Sequence, residues 1–550
     1  MNATLKFDDM TFLKLLSDSS TTGSPFISPK RKGAAVRFRQ FRVANLPVSK
    51  SLLHRFIIAH LLTTLCDLYD RKNGRFFAGN NNFEDGLIDI LDELLDGAKP
   101  SEDTITSLDC VLSIWNTFQR MSLIDTFCIP CNDSASALRF FVPICAAILS
   151  LIEDRNGMFV EFELSALLAE RSIADATYTL ERHGMTFADF SGYEGQDFDG
   201  SNPTPTNRII QMSGRLTPGN FDVSGKHSSQ FISGLLMALP LLNDDSRILI
   251  NTDIVSRPYI DMTLRVLKLF GIEIAETYSN EDMGSTIFEI PGKQNYKRPA
   301  MSYLKNEIEI DMSNAAFWYC LSCIMSLGRD EYISPAFGDM NKADPMQGDH
   351  IIKPLTEFLY ALDYELCHNP GENLQACYNE VLKRAGSTMH FNHLTSCLNI
   401  SIPDDNTLIV DLKDNPDLFP PLAILACGLN FRLLLHCGRR LADKESNRLI
   451  AMKDGIDKLG GKCNYYIEDL LSEGLIIYGD EMNKKTIGTL RKPLSSGQVF
   501  SYRDHRIAMA FSIATTLTAG SITIESPFVT GKSYPGFYDA FESIGGAIKS

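Results

Sequence analysis

Two short stretches in the second half of the chain combine carboxylates with cations in a way that could move protons. Asp417 stands in NPDLFPPLAILACGL, just ahead of two prolines that favour a helix start. Farther on, DKESNRLIAM carries Lys444, Glu445 and Arg448, and their spacing predicts that the lysine and the arginine share one helix face. Neighbouring cations keep a carboxylate charged, whereas partial burial raises its pKa, so such groups can be tuned for acid–base catalysis. The competing interpretation is a solvated face of salt bridges.

A third charged cluster opens an apolar helix near the C-terminus. The segment 501–515 reads SYRDHRIAMAFSIAT and places Asp504, His505 and Arg506 before residues with helical apolar spacing. The first turn of a helix exposes unpaired N–H groups and the positive end of the peptide dipole, so an arginine there makes an anion site. Taken alone, the same pattern also fits an exposed Asp cap in front of a core helix.

Other hydroxyl, amide and basic side chains stand beside apolar segments along the whole chain. LPVSKSLLHR offers Lys50, Ser51 and Arg55, with the arginine about one turn after the serine. The remaining members of this set are Ser134, Ala135, Ser136, Arg139, Arg171, Ser228, Ser229, Gln230, Ser256, Tyr259, Asp311, Ser313, Asn314 and Lys532. Small residues let a ligand approach the backbone, and hydroxyl and amide groups bond to phosphate and hydroxyl oxygens. Each piece alone is explained by helix capping, and their number is what favours an anion site.

The elements that must position these residues recur along the chain. A helical apolar pattern ends in a stop and runs into a β-rich segment at intervals of roughly ninety residues. The stops fall at Gly97, Gly184, Gly271, Asp363, Gly460 and Gly545. This pattern predicts repeated copies of one α/β unit, each with helices followed by a strand pair. Six units, one for each stop, are too many for a single hydrophobic core. We therefore expect two groups of three units.

Three stretches do not fit the repeat. They are Met1–Gly33, which is rich in Ser and Thr, Tyr69–Ser107 and Cys367–Thr395. We interpret them as a tail and two insertions with loop or poorly ordered content.

Composition limits the class of protein. The chain has 550 residues and a hydrophobic share of 44%, which is that of a globular protein with several domains. The net charge of −16 argues against nucleic acid or an anionic membrane as the main partner. Any bound anion must therefore be held by local clusters of Lys and Arg.

Cysteine usage and the N-terminus indicate the compartment. The 13 cysteines are scattered, as expected for free thiols in a reducing environment. Cys128 and Cys131 form a CxxC pair, which we interpret as isolated, so a metal or redox role is the less favoured interpretation. The N-terminus lacks the basic and apolar regions of a signal peptide, and we find no apolar run as long as a membrane span. We expect a cytoplasmic, soluble protein that binds no metal.

Taken in order, these residues fall into motifs that resemble those of the 5-enolpyruvylshikimate-3-phosphate synthase family. SKSLLHR is similar to the family's S-K-S-x-x-x-R, SSQF to its Ser-Ser-Gln run, and SRPYID to its S-x-P-Y-[IV]-D. KESNR is similar to K-E-[ST]-[DN]-R, DHRIAM to D-H-R-[MI]-A-M, and KSYPGF to K-[ST]-[FY]-P-x-[FY]. The match runs from about Val43 to the C-terminus, and the ordered set is far more specific than any one motif.

The resemblance implies a fold class and a domain arrangement. The fold would be α/β, with two inside-out, barrel-like domains of three βαβαββ repeats each and with substrates in the interdomain cleft. Residues 47–309 would form an N-terminal-type domain, inserted into a C-terminal-type domain made of 1–46, with the N-terminal extension, and 310–550. Two crossover strands would join the domains at a hinge.

The resemblance also implies a reaction. The family transfers the enolpyruvyl group of phosphoenolpyruvate to the 5-hydroxyl of shikimate 3-phosphate and releases phosphate, without a metal or an organic cofactor. We therefore expect these two small molecules as partners, no cofactor, no nucleic acid, no membrane and a monomeric protein.

Carried over residue by residue, the family's motifs assign roles to the residues named above. Asp417 would take the 5-hydroxyl proton and Glu445 would protonate the methylene carbon, with Lys50 and Lys532 as further catalytic residues. The residues expected to hold phosphoenolpyruvate are Lys50, Ala135, Arg171, Arg448, Arg506 and Lys532. Those expected to hold shikimate 3-phosphate are Ser51, Arg55, Ser228, Ser229, Gln230, Ser256, Tyr259 and Lys444. Two polyanionic substrates would account for so many cations in an acidic chain.

The chain departs from the family's motifs at three positions. Val48 replaces a usual glycine before Lys50, Ser172 replaces a proline, and Ala135 replaces the glycine of N-A-G-T-A-M-R. The added methyl of Ala135 would intrude toward the phosphoenolpyruvate pocket. We therefore hypothesise that glyphosate, which is longer than phosphoenolpyruvate and resembles the inhibitor class of this site, binds weakly.

Two other functions compete with this prediction. The related UDP-N-acetylglucosamine enolpyruvyl transferase shares the fold and the phosphoenolpyruvate chemistry, but it would not need the Ser-Ser-Gln and S-R-P-Y motifs. A catalytically impaired shikimate-3-phosphate-binding or scaffolding homologue is conceivable because of Val48 and Ala135. The presence of Asp417, Glu445 and the lysines argues against it.

Overall fold

The computed structural model describes most of the chain. The described residues are 2–18, 36–70, 75–76, 83–119, 126–152, 158–169, 174–191, 208–226, 228–279, 285–337, 351–369, 372–385, 394, 398, 400–404, 406–436, 441–442, 444–469, 472–479 and 490–549. Arg171 and Ser172 lie outside them. The chain divides into two compact units, of which unit 1 is Met1–Val48 with Glu309–Ser550 and unit 2 is Ser49–Ile308.

The elements follow in chain order. Unit 1 begins with β1 (Asn2–Phe7), α1 (Asp9–Lys14), β2 (Ser17–Asp18) and β3 (Arg37–Val43). Unit 2 contains α2 (Lys50–Leu68), β4 (Tyr69–Asp70), β5 (Arg75–Phe76), α3 (Phe83–Leu95), α4 (Glu102–Gln119), β6 (Thr126–Asn132), α5 (Ala135–Leu151), β7 (Phe159–Leu164), α6 (Ala166–Ala169), α7 (Ala174–Glu181), β8 (Met185–Ser191), β9 (Arg208–Gly214), β10 (Asn220–Asp222), α8 (Ser229–Ala238), β11 (Ser246–Ile250), α9 (Arg257–Leu269), β12 (Ala275–Ser279), β13 (Ser285–Ile290) and α10 (Met301–Glu307).

The chain then completes unit 1. Its remaining elements are α11 (Met312–Ser326), β14 (Glu331–Phe337), α12 (Ile352–His368), α13 (Leu374–Ala385), β15 (Ile400–Asp404), β16 (Thr407–Asp411), α14 (Phe419–Gly428), β17 (Arg432–His436), α15 (Arg448–Lys458), β18 (Lys462–Asp469), β19 (Ser472–Tyr478), β20 (Gly497–Phe500), α16 (His505–Ala514), β21 (Ile522–Glu525), α17 (Phe537–Ser543) and β22 (Gly546–Lys549). Unit 1 also contains the short 3-10 helices Pro416–Leu418 and Pro527–Lys532.

One strand pattern recurs in both units. It is found in β6-β7-β9-β8 and β10-β11-β13-β12 of unit 2, and in β16-β17-β19-β18 and β20-β21-β1-β22 of unit 1. In each copy the first two strands are parallel and the other pairings are antiparallel. A parallel pair needs a crossover, and helices α5, α8, α14 and α16 supply it in the four copies. These four copies confirm the βαβαββ repeat that the family resemblance implied.

The crossover helices lie inside and the sheets lie outside. Every residue of α11, α14 and α16 is buried, as expected for helices that are apolar on all sides. The strands instead alternate between buried and partly exposed residues, for example along β6. This arrangement is the inside-out α/β fold predicted from the sequence.

The N-terminal stretch is part of the core, so its interpretation as a tail was wrong for the residues described. Strand β1 lies between β21 and β22 and pairs antiparallel with both. Ala3 and Leu5 are fully buried there, opposite residues more than 500 positions away in the sequence. The alternation of ATLKF was a valid strand signal, but its partners are too distant in sequence to be predicted from local pattern.

The two predicted insertions also contain regular structure. Helix α3 lies within Tyr69–Ser107, α4 begins there and continues beyond it, and α13 lies in Cys367–Thr395. The sequence shows why, because Leu87, Leu91 and Leu94 are buried at helical spacing along α3.

Four of the six predicted stops end a helix and lead to a strand. Gly184, Gly271, Gly460 and Gly545 follow α7, α9, α15 and α17 with φ between +75° and +105°. Gly97 leads into another helix rather than a strand. Asp363 is not a stop, because it lies within α12, where it is fully buried and paired with Arg491 at 2.8 Å.

Helix α2 is the one described helix that is long and apolar enough to cross a membrane. Of its most apolar window, 72% is buried inside the structure, as in the core helix of a globular domain. The helix therefore gives no support for a membrane span.

Candidate active site

Several of the predicted site residues share one position in the repeat. They stand where a strand has ended and the next helix begins, as do Ser134 before α5, Ser228 before α8, Asp417 before α14 and Asp504 before α16. Unpaired N–H groups and the positive end of the peptide dipole meet at such a position. The repeat therefore places the starts of several helices, which we predicted to bind anions, at equivalent positions of each unit.

In unit 1, three cations surround the carboxylate of Asp417. Arg448 donates from Nη1 to Asp417 Oδ1 at 2.6 Å, and Lys444 Nζ lies 3.4 Å from the same oxygen. Arg506 Nη2 lies 3.4 Å from the second oxygen, Oδ2. Burial acts to raise the pKa of Asp417, but Arg506, Lys444 and Arg448 together hold it well below the ordinary value. Asp417 is therefore ionised at neutral pH.

Arg448 links three carboxylates. Besides Asp417, its guanidinium donates to Glu445 Oε2 at 2.7 Å and from Nε to Asp504 Oδ2 at 2.8 Å. The side chain is 1% exposed, and although burial opposes its charge, Asp504, Glu445 and Asp417 raise its pKa. A single buried arginine thus fixes the positions of both predicted proton-transfer groups.

The prediction that Lys444 and Arg448 share a helix face is wrong. Helix α15 begins only at Arg448, because the Asn447 side chain accepts a hydrogen bond from Ile450 N at 3.1 Å and caps it there. Lys444 and Glu445 lie in the preceding loop, and they reach the arginine cluster from outside the helix. The solvated face of salt bridges is also excluded, since Arg448 is buried.

The DHR motif is buried, so the interpretation of Asp504 as an exposed cap is wrong. Asp504 is fully buried and caps α16 by accepting from Arg506 N at 2.9 Å. Arg506 in turn donates to Ser313 Oγ at 2.8 Å and to Ser313 O at 3.2 Å. Ser313 donates to Asp311 Oδ1 at 2.6 Å, which ties the start of α11 to the same cluster.

Lys532 closes the 3-10 helix Pro527–Lys532 and is 9% exposed. The next residue, Ser533, accepts two hydrogen bonds from the side chain of Asn314, at 3.1 Å to Oγ and 3.3 Å to the carbonyl. Asn314 belongs to α11, next to the Ser313 that binds Arg506. The loop of Lys532 is therefore anchored to the same helix start as Arg506.

In unit 2, Arg55 is buried without a carboxylate partner. Its guanidinium donates to Ser51 O at 2.6 Å, Thr263 Oγ1 at 2.7 Å and Tyr259 O at 2.9 Å. No acidic group of the described residues forms an ion pair with it, and burial lowers its pKa to about 9. A buried cation that bonds only to neutral oxygens is costly unless an anion binds nearby.

Lys50, at the first turn of α2, forms an ion pair with Asp103 of α4 at 2.9 Å. His54 is also on this helix and is buried, and burial, opposed by Asp103, lowers its pKa to about 4. Nothing in the sequence linked Lys50 to Asp103, because the carboxylate lies 53 positions away in a stretch that did not fit the repeat. The structure thus adds Asp103 to the candidate site.

Two helix starts in unit 2 are joined by side chains. Ser134 caps α5 by accepting from Ala137 N at 3.3 Å, and Ser228 caps α8 by accepting from Gln230 N at 3.3 Å. Arg139 of α5 donates to Gln230 Oε1 at 3.1 Å. Arg139 therefore orients the amide of Gln230, although Arg139 was not among the residues predicted to hold a substrate. The remaining predicted residues of these starts, Ala135 and Ser229, are both buried.

Ser256 holds a conformation that side chains rarely adopt. Its φ is +57°, it is buried, and it directly precedes α9, where Tyr259 stands in the first turn. Ser526 of unit 1 has φ +53° and directly precedes Pro527–Lys532 in the same way. Backbone strain of this kind concentrates at functional positions. The two serines mark equivalent turns in the two units.

Val48 fits its position without the usual glycine. It forms an antiparallel bridge with Ile310, so its backbone is extended, and its side chain is partly buried. The substitution therefore leaves the turn before Lys50 undisturbed.

The CxxC pair does not form a metal site. Cys131 is buried on β6, whereas Cys128 lies on the partly exposed face and donates to Glu163 Oε1 at 2.9 Å. The prediction that the pair is isolated was wrong, because Cys320 and Cys323 repeat the spacing within α11, where both are fully buried. In the part of the chain that the structure describes, no group of three or more His, Cys, Asp or Glu residues could hold a metal ion.

Comparison with known proteins supplies a family. A sequence model described as EPSP synthase (3-phosphoshikimate 1-carboxyvinyltransferase) matches residues 202–328 and 366–541, more than half of the chain. A 3-phosphoshikimate 1-carboxyvinyltransferase of Clostridium perfringens is 31% identical over 509 residues, which cover 92% of this chain and 96% of the relative. One from Clostridioides difficile is 28% identical, with 92% and 95% covered.

A solved structure agrees at the level of the fold. The chain is similar to an EPSP synthase from Acinetobacter baumannii with a TM-score of 0.55 over the whole of both chains, at 16% sequence identity. At that identity the likeness concerns the fold alone. It is consistent with the repeated strand pattern found in both units.

Proposed function

The chain belongs to the EPSP synthase family and transfers the carboxyvinyl group of phosphoenolpyruvate to shikimate 3-phosphate, and we propose here how its own residues perform that reaction. Asp417 is the base for the 5-hydroxyl of shikimate 3-phosphate, and Glu445 is the acid for the methylene carbon of phosphoenolpyruvate. The observation that carries this assignment is that Arg448 binds both carboxylates, at 2.6 Å and 2.7 Å.

The addition step needs two proton transfers. Asp417 removes the 5-hydroxyl proton as that oxygen attacks C2 of phosphoenolpyruvate, and Glu445 delivers a proton to C3, which becomes a methyl group. Elimination runs in the opposite sense, so Glu445 takes a proton from the methyl group, the C2–O bond to phosphate breaks, and phosphate leaves. Two carboxylates with different surroundings suit these opposite tasks. Asp417 faces three cations, and Glu445 pairs with Arg448.

Cations placed around the reacting groups stabilise the phosphate as it leaves. Arg448 and Arg506 hold phosphoenolpyruvate from unit 1, together with Lys532, and Lys50 supplies the same charge from the first turn of α2. Both arginines are buried in fixed hydrogen-bond geometry, which suits bidentate binding of carboxylate and phosphate. Arg171 and Ala135 complete the set by family resemblance.

Shikimate 3-phosphate is held by hydroxyl, amide and basic groups. Ser51, Arg55, Ser228, Ser229, Gln230, Ser256 and Tyr259 belong to unit 2, and Lys444 to unit 1. The support for this assignment is the buried charge of Arg55, because a phosphate or carboxylate of the substrate would supply the anion that its neighbours lack. Asp103 is a positioning residue for Lys50.

The domain arrangement follows from the same family membership. We assign residues 47–309 to the N-terminal-type domain, and residues 1–46 with 310–550 to the C-terminal-type domain. The division of the chain at Val48 and Glu309 supports these limits. The placement of the substrates in a cleft between the domains and the monomeric state stay predictions.

Replacing Arg55 by methionine is expected to weaken shikimate 3-phosphate binding about 10- to 100-fold, because a charge-assisted contact in a buried site is lost. Without substrate, the variant should be as stable as the wild type or more stable, since a buried guanidinium without an anion costs folding free energy. Calorimetric titration and thermal unfolding measure the two quantities.

Arg265→Met is the matched control, because Arg265 lies on α9 but pairs with Glu307 at 3.2 Å. It should bind shikimate 3-phosphate as the wild type does. Equal affinities of the wild type and Arg55→Met would remove Arg55 from the substrate site.

Ala135→Gly is expected to increase glyphosate inhibition at least about tenfold, because a methyl group at the start of α5 is removed from the proposed phosphoenolpyruvate pocket. The inhibition constant, measured in competition with phosphoenolpyruvate, reports this change. Ala137→Gly, two residues farther along the same helix, controls for loss of helix stability. Strong inhibition of the wild type itself would refute the hypothesis that Ala135 excludes glyphosate.

Phosphate release tests the reaction directly. The protein should release phosphate from phosphoenolpyruvate only when shikimate 3-phosphate is also present, and each substrate alone is the control. Binding of shikimate 3-phosphate without phosphate release would instead favour the impaired, substrate-binding homologue.

A further inference from the structure

A cavity of about 240 Å³ lies within unit 2, and it is lined by none of the residues predicted for the active site. It is enclosed mainly by α2, α3 and α10, and most of its wall is apolar. Phe56 comes from α2, Leu91 and Leu94 from α3, and Phe270 follows α9. None of these residues has a part in the proposed reaction.

Two polar side chains also line this cavity. His60 of α2 is 4% exposed, its ring stacks on Phe83 at 5.5 Å, and its nitrogens make no hydrogen bond to a described residue. Arg298 lies exposed at the edge, and it likewise forms no hydrogen bond or ion pair with any described residue. The cavity thus offers a buried imidazole and a guanidinium that are both available to a ligand.

The charge at this cavity has one sign. Burial, followed by the nearby charge of Arg298, lowers the pKa of His60 to about 4, so the imidazole is neutral at pH 7 and can still donate one hydrogen bond. The described residues that line the cavity include no acidic side chain. Arg298 therefore supplies the charge, and the preferred ligand is an anion with an apolar body.

The volume limits the size of that body. A dry cavity of about 150 Å³ is large enough for benzene. The remaining space here accommodates a short acidic arm. Phe56 and Phe270 on the wall favour a ring over an alkyl chain, since aromatic pairs add to the free energy of burial.

We propose that this cavity binds a compact aromatic carboxylic acid, with its ring among the apolar side chains of α2 and α3 and its carboxylate on Arg298. His60 donates the second hydrogen bond. The site is distinct from the proposed substrate site, but it shares α2, whose first turns carry Lys50, Ser51 and Arg55. A ligand there would contact Phe56, the residue next to Arg55.

The probe is 4-fluorophenylacetate, observed by fluorine NMR line broadening on the full chain. We expect binding with a Kd of about 0.1–10 mM, as is usual for a ligand of this size. The uncharged 4-fluorophenylacetamide should bind about fivefold more weakly, and Arg298→Gln should abolish the difference between the two. Saturating shikimate 3-phosphate and phosphoenolpyruvate should not displace the probe.

Two further variants separate this cavity from general charge effects. Lys297→Gln removes a neighbouring exposed cation that does not line the cavity, and it should leave binding unchanged. Ile90→Trp should abolish binding, because a large side chain at a partly exposed wall position fills the space. The proposal is overturned if acid and amide bind equally to the wild type, if Ile90→Trp binds normally, or if the substrates displace the probe.

Discussion

Asp417→Asn is expected to lower kcat about 10²–10⁴-fold, because the amide cannot accept the 5-hydroxyl proton. Shikimate 3-phosphate should still bind, since all of its proposed ligands except Lys444 belong to unit 2. Phosphoenolpyruvate should bind as tightly as before or more tightly, because Lys444, Arg448 and Arg506 lose a competing anion. Single-turnover kinetics and calorimetry measure these quantities.

The pH profile gives a second sign of this role. In the free enzyme three cations hold the pKa of Asp417 well below its ordinary value. Bound phosphoenolpyruvate would offset those cations and let the pKa rise. The acid limb of kcat should therefore lie at a higher pH than the acid limb of kcat/KM.

The low pKa also bears on stability. A depressed carboxylate pKa contributes folding stability that is present above about pH 4 and is lost as the pH falls through the depressed value. Asp417→Asn should therefore unfold at a lower temperature than the wild type at pH 7, and the difference should shrink in acid. Asp414→Asn changes a carboxylate three residues earlier and is the control. If Asp417→Asn kept full turnover, another group would have to be the base.

Glu445→Gln is expected to lower kcat by a similar factor of about 10²–10⁴, because the amide cannot protonate C3 of phosphoenolpyruvate. Glutamine has the same shape and can still accept the hydrogen bond that Arg448 donates at 2.7 Å. Both substrates should therefore bind with near-normal affinity, and kcat rather than KM should change.

The control for this variant is Asp457→Asn, which alters an exposed carboxylate on α15 that pairs with Lys453. It should turn over at the wild-type rate. A large rise in KM with little change in kcat would show instead that Glu445 serves substrate binding.

Much of the architecture could be predicted from the sequence because its signals are local. Glycines with positive φ commonly end helices, and four of them marked the repeat correctly. Asp363 was wrongly predicted to end a helix, because a buried Asp that pairs with Arg491 has no local sequence signature that distinguishes it from a helix stop. Strand β1 was missed for the related reason that its partners β21 and β22 come from the far end of the chain.

The candidate site was predictable in its residue types but not in its contacts. Asp417, Glu445 and Arg506 stood out in the sequence, yet the role of Arg448 as the link between the two carboxylates required the structure. Asp504 was noticed only as a helix cap, although its carboxylate also binds Arg448 at 2.8 Å. Contacts of this kind join residues dozens of positions apart, so no periodicity in the sequence can indicate them.

Proton exchange at C3 of phosphoenolpyruvate tests the division of labour between Glu445 and Asp417 most directly. Addition and its reversal pass C3 through a methyl group, so in deuterium oxide the wild type should place deuterium in the methylene of recovered phosphoenolpyruvate when shikimate 3-phosphate is present. Glu445→Gln should show no exchange above the level without enzyme. Exchange at the wild-type rate in Glu445→Gln would contradict the account, because some other group would then deliver the proton to carbon.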